Sequence, residues 1–142
     1  MSESPSRSAA GSDGAGPSRG QLVGWTLLAW LAGLGAVPFT SAAATLLSQG
    51  LDLPETPVGT FALALVCALV AWVAGRVGTP PRHRFLVGTA FVPLIHLINV
   101  VAFQVLLPLP VIAGQTVVGA IGAGTMVALG ERRARLREAD GR

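Results

Sequence analysis

Residues 85–130 read FLVGTAFVPLIHLINVVAFQVLLPLPVIAGQTVVGAIGAGTMVALG, a 46-residue stretch whose only titratable side chain is His96. A helix rises about 1.5 Å per residue, so this stretch as one helix would be ~69 Å long. A bilayer core is only ~30 Å thick. The chain therefore has to turn back within it, and Leu107-Pro108-Leu109-Pro110 marks the place. Two prolines remove backbone donors there and push the residues before them into extended geometry. The expected crossings are residues 85–107 and 111–129.

The same reading extends outward. Residues 56–75 carry no charge and fit one crossing of about 20 residues. Residues 20–51 are also uncharged. Within them residues 22–47 would form a helix of ~39 Å, longer than the core requires. Pro38 lies inside and removes one hydrogen bond, so a kinked or tilted helix is expected, overhanging through Thr45, Ser48 and Gln49. Splitting at Pro38 leaves pieces too short to span. A competing reading makes residues 22–44 a cleaved signal peptide ending in Ser41, Ala42, Ala43 and Ala44. The long leader before it, with Asp13, fits that pattern poorly.

Composition agrees. Apolar residues make up 51% of the 142, and 18 glycines bring the total to about 64%, against ~45–50% in soluble domains counted the same way. Charged residues are 12%, about half the usual share. An ordinary soluble enzyme is excluded. The fold class expected is all-α: an integral membrane bundle of four transmembrane helices occupying residues 21–130.

Charge placement sets the orientation. All ten basic residues are arginine. Arg7 and Arg19 precede the first crossing, Arg76, Arg82 and Arg84 lie between the second and third, and the remaining five follow the fourth. With five acids among them these regions carry +5, while the loop holding Asp52 and Glu55 carries −2. Arginine-rich segments stay in the cytoplasm, so a multi-pass protein of the cell membrane with both termini cytoplasmic is expected. Trp25 and Trp72 fall near that interface, where indoles prefer to sit. The expected partners are the lipid bilayer, with anionic headgroups at the Arg-rich ends, and a homo-oligomer or larger membrane complex. The pI of 11.1 needs no nucleic acid.

Residues 1–20 are a different material, with Ser, Gly and Pro at 12 positions. They are expected to form a disordered cytoplasmic leader. Residues 131–142 form a basic cytoplasmic tail, with Glu131 and Arg135 placed to extend the last helix.

Helices in lipid associate through small residues that let backbones approach. The fourth crossing offers Thr116, Ala120, Gly124 and Ala128 at four-residue steps, with Gly119 and Ala123 alongside; the second offers Cys67, Ala71 and Gly75. These rows serve packing within one bundle or a dimer face. Cys67 stands alone, which excludes a thiol pair.

The third crossing holds the polar constellation. His96 lies at its midpoint and Asn99 shares its face, with Gln104 nearer the outer end. Pro93 frees the carbonyl of Thr89. Gln115, early in the fourth crossing, is expected at a depth comparable with Asn99 and Gln104. An ionisable residue at mid-membrane points to a substrate path, whereas a neutral histidine bonded between helices is ordinary packing. No Asp or Glu lies in any crossing, so no acid–base pair or carboxylate ion site is available. His83 and His96 lack companions for a metal, and no lysine exists for a phosphate loop. No cofactor is expected and enzymatic chemistry is not. The function these features favour is a non-enzymatic accessory or scaffold subunit acting through helix contacts. The alternative is a small permease or channel lined by His96, Asn99, Gln104 and Gln115.

Overall fold

The computed structural model describes residues 17–141 as four helices: α1 (Arg19–Leu51), α2 (Glu55–Arg76), α3 (Pro81–Phe103) and α4 (Leu109–Asp140). All four are long and apolar enough to cross a membrane. The leader expected over residues 1–20 lies outside the described residues as far as position 16, and so does Arg142.

The helix limits depart from the sequence reading wherever capping overrides hydropathy. Helix α1 starts inside the expected leader, at Arg19, because Ser18 and Gln21 form a capping box. The Gln21 amide donates to Ser18 Oγ at 3.3 Å, and the Ser18 amide donates to Gln21 Oε1 at 2.9 Å. Helix α3 begins at Pro81, four residues before the first apolar residue, since proline in the first turn sacrifices no hydrogen bond. It ends at Phe103 rather than 107. Gln104 takes a left-handed turn (φ 55°), and its amide still reaches the Val100 carbonyl. The four residues before Pro108 are not helical. Helix α4 opens with Pro110 in its first turn and runs on through the basic tail to Asp140, well past residue 129.

Short connections make sequential neighbours antiparallel. The α2–α3 turn uses Gly78 at φ 84°, a conformation that favours glycine, with the Thr79 amide returning to the Ala74 carbonyl at 3.3 Å. Thr79 is buried, and its hydroxyl donates to the same carbonyl at 2.6 Å. Arg84 Nε donates to the Thr79 carbonyl at 2.5 Å, tying the start of α3 to this turn.

Helix α2 is the centre of the molecule. It packs on α1, α3 and α4, whereas α1 and α4 do not touch each other. The core is small: Val66, Cys67, Val70 and Ala74 of α2, Val87, Phe91 and Val92 of α3, and Ala29 of α1. Helix α1 reaches it through Gly33, where an added Cβ would lie 2.5 Å from Val70 and 2.7 Å from Phe91. Two side-chain bonds join α1 to α3. Trp30 Nε1 donates to the Val87 carbonyl at 3.0 Å, and Thr26 Oγ1 lies 3.0 Å from His83 Nε2. Both pairs are 57 residues apart, so α1 and α3 run parallel at one relative height.

This up-and-down arrangement gathers Arg19, Arg76, Arg82, Arg84 and the arginines of the α4 extension at one end of the bundle. Asp52 and Glu55 lie at the other.

Candidate functional site

His96 is buried, with 7% of its surface exposed, on the face of α3 that meets the bundle interior. The α3/α4 contacts fix what lies opposite. A Cβ at Gly88 would meet Ala123, and one at Gly119 would meet Val92. Four residues up α3 thus correspond to four down α4, and one further step brings His96 level with Gln115. The glutamine therefore pairs in height with His96 rather than with Asn99 or Gln104. That register follows from two glycine contacts that the sequence does not reveal.

Among the described residues three buried side-chain polar atoms have no hydrogen-bond partner: His96 Nε2, Gln115 Oε1 and Thr89 Oγ1. Thr89 stands two turns below His96 on the same side of α3. Burying such a group unpaired costs about 1–3 kcal/mol. The four candidate polar residues divide accordingly. His96 and Gln115 lie at about one height on α3 and α4, Asn99 is half-buried, and Gln104 is exposed in the turn that ends α3. An imidazole and a carboxamide can exchange hydrogen bonds with a polar guest.

The small residues also sort by contact. Ala71 is buried in α2, and Gly75 sits where a Cβ would lie 3.3 Å from the Arg84 guanidinium. In α4, Gly119 and Ala123 are the buried positions. Ala120 is half-buried, Gly124 faces the Phe85 ring at 3.5 Å, and Ala128 is exposed. The tightest approach is one the sequence rows did not single out: a Cβ at Gly122 would run into the carbonyl oxygen of Ala64 on α2. Cys67 is buried between Gly88 and Gly119. Among the described residues no group of three or more His, Cys, Asp or Glu could hold a metal ion.

Sequence reasoning also passed over Thr26, Trp30 and His83, which supply the α1–α3 bonds. Trp30 carried a usable signal, being an indole donor inside a crossing, where an N–H seeks an acceptor.

Compared with family models, with curated proteins and with solved structures, the chain finds no match in any of the three.

Proposed function

We propose that the chain is a multi-pass protein of the cell membrane with both termini in the cytoplasm, working there as a non-enzymatic accessory or scaffold subunit through its helix faces. The orientation rests on the arginines, which gather at one end of the bundle while the other end has only Asp52 and Glu55. The observation that carries the scaffold reading is the imbalance of burial. Helix α1 buries only Ala29, Gly33, Ala44 and Ser48, and α4 only Gly119 and Ala123. Leu31 and Phe39 of α1 are 66% and 77% exposed, and Ile121 of α4 is 63% exposed. These two outer helices offer long apolar faces to lipid or to a neighbouring helix.

A photocrosslinking residue placed at Leu31, Phe39 or Ile121 tests this in membranes. Discrete protein adducts, with a second copy or with another membrane protein, are expected. Adducts to lipid alone at all three positions would refute it. A reporter fused after the last residue should be active only in the cytoplasm, and one inserted at Leu53 only outside.

The second reading is a small permease, and the unpaired atoms of His96 and Gln115 favour it. In a Cys67→Ala background, cysteines at positions 96 and 99 should resist a small aqueous thiol reagent under the scaffold reading. Rapid labelling at both would mean a water-filled path and would transfer the assignment to the permease.

A further inference from the structure

Helices α2 and α4 run parallel, and one continuous face of each lines a furrow along their seam. On α2 the face is Phe61, Leu65, Ala68, Trp72 and Arg76, at three- and four-residue steps. On α4 it is Val118, Gly122, Thr125, Leu129, Arg133 and Arg137, at the same spacing. The furrow has two parts that share Met126: an apolar groove of about 390 Å³ and a groove of about 310 Å³ at the arginine-bearing end.

The second groove is built for an anion. Arg76, Arg133 and Arg137 line it and no carboxylate does. The Arg76 guanidinium lies over the Trp72 ring, 4.7 Å from its centroid, which holds it at the rim. Gly75 and Gly130 leave the wall bare, and Arg84 lies behind both, 3.3 Å and 3.9 Å from where their Cβ atoms would be. Three guanidiniums thus line one hollow, with Arg84 behind its wall. A phosphate accepts several charge-assisted hydrogen bonds at once. The acids of the tail, Glu131, Glu138 and Asp140, line none of it.

The geometry points to a binding site for one anionic phospholipid: phosphate among Arg76, Arg133 and Arg137, acyl chain along the apolar seam. The length fits. From Phe61 to Arg76 α2 rises ~22 Å, enough for one ~15 Å leaflet of hydrocarbon plus a headgroup. The apolar half separates a lipid from a free phosphate, which would use the basic half alone. The inference needs the helices to lie in a bilayer, but does not depend on whether the protein serves as a scaffold.

The test is lipid retention by the purified full chain in detergent, read by native mass spectrometry after exposure to phosphatidylglycerol or phosphatidylcholine. Wild-type protein should hold one phosphatidylglycerol and no phosphatidylcholine. Neutralising two arginines in R133Q/R137Q should weaken retention about thirtyfold, the affinity equivalent of two interfacial arginines. Thr125→Trp, at an exposed position that fills the apolar groove, should weaken long-chain phosphatidylglycerol while sparing a short-chain analogue. Equal retention of both lipids by the wild-type chain would overturn the site without relying on any variant. Displacement of phosphatidylglycerol by millimolar inorganic phosphate would overturn it too, leaving a site for a free anion.

Discussion

Replacing Gly122 by alanine tests whether α2 and α4 meet backbone to backbone. A Cβ there overlaps the Ala64 carbonyl oxygen and comes within 3.1 Å of its carbon. The obstacle is helix backbone, so no rotamer change can relieve it. The helices must part by roughly 1 Å to restore an ordinary carbon–oxygen contact of about 3.3–3.6 Å. A gap of that size forfeits a quarter to a half of the dispersion energy across the seam, and overpacking of this kind costs about 1–3 kcal/mol. Removing a mid-helix glycine returns about 0.5–1 kcal/mol. The net expectation is a loss of about 1–2 kcal/mol. Gly114→Ala is the matched control: it lies on the same helix with nothing within 4 Å of its added Cβ, so only the gain applies. Reversible unfolding in mixed micelles, titrated with sodium dodecyl sulfate and followed by far-UV circular dichroism, measures both. If Gly122→Ala proves as stable as Gly114→Ala, the seam is not this close, and the furrow along it loses its floor.

Trp30→Phe removes the donor to the Val87 carbonyl while keeping an aromatic ring, and should cost about 1 kcal/mol in the same titration. An unchanged midpoint would show that bond to be idle. His96→Leu replaces a buried nitrogen that has no partner, so stability should hold or rise. A loss above about 1 kcal/mol would mean the imidazole is hydrogen-bonded in the assembled protein. Ser18→Ala breaks the capping box and should cost about 1 kcal/mol, with faster amide exchange at Gln21 and Leu22; slow exchange in the variant would show that α1 does not need the cap.

The number of helices was legible because it depends on quantities the sequence states outright: uncharged lengths, two prolines and the placement of arginine. Their limits were less so. Hydropathy marks where a helix is apolar, whereas Ser18, Pro81 and Gln104 decide where it starts and stops through capping, which costs a residue or two of pattern. Residues 131–140 are helical without being apolar, and only the Glu131–Arg135 spacing hinted at it. The polar constellation was visible as residue types at helical spacing, but its grouping was not. Which glutamine faces His96 depends on the α3/α4 register, and that is set by Gly88 and Gly119, two of 18 glycines with no local mark to distinguish them. The basic groove was hidden for a related reason. Arg76, Arg133 and Arg137 lie on two helices, and one-dimensional charge counting reports only that they share an end.

Register is where the polar groups of this bundle matter most. Small residues recur every four positions along α2 and α4, so a slip of one turn would still set small against small and lose little dispersion. Packing alone leaves helix height weakly specified in lipid, where no hydrophobic force drives helices together. The α1–α3 bonds fix the height of one pair, α1 against α3. Thr26 to His83 and Trp30 to Val87 share one offset, so both form at a single relative height of α1 and α3. A one-turn slip would set Thr26 against Val87 and take the threonine away from His83, whereas the Trp30 indole could donate to the Phe91 carbonyl instead. The Thr26–His83 contact, worth about 1 kcal/mol, is therefore the one that distinguishes the native height. A buried polar residue that fixes register at some expense in stability is known from coiled coils. In this chain Thr26 and His83 are placed to set the α1/α3 height, whereas His96 Nε2 and Gln115 Oε1 have no hydrogen-bond partner with which to set that of α3 and α4.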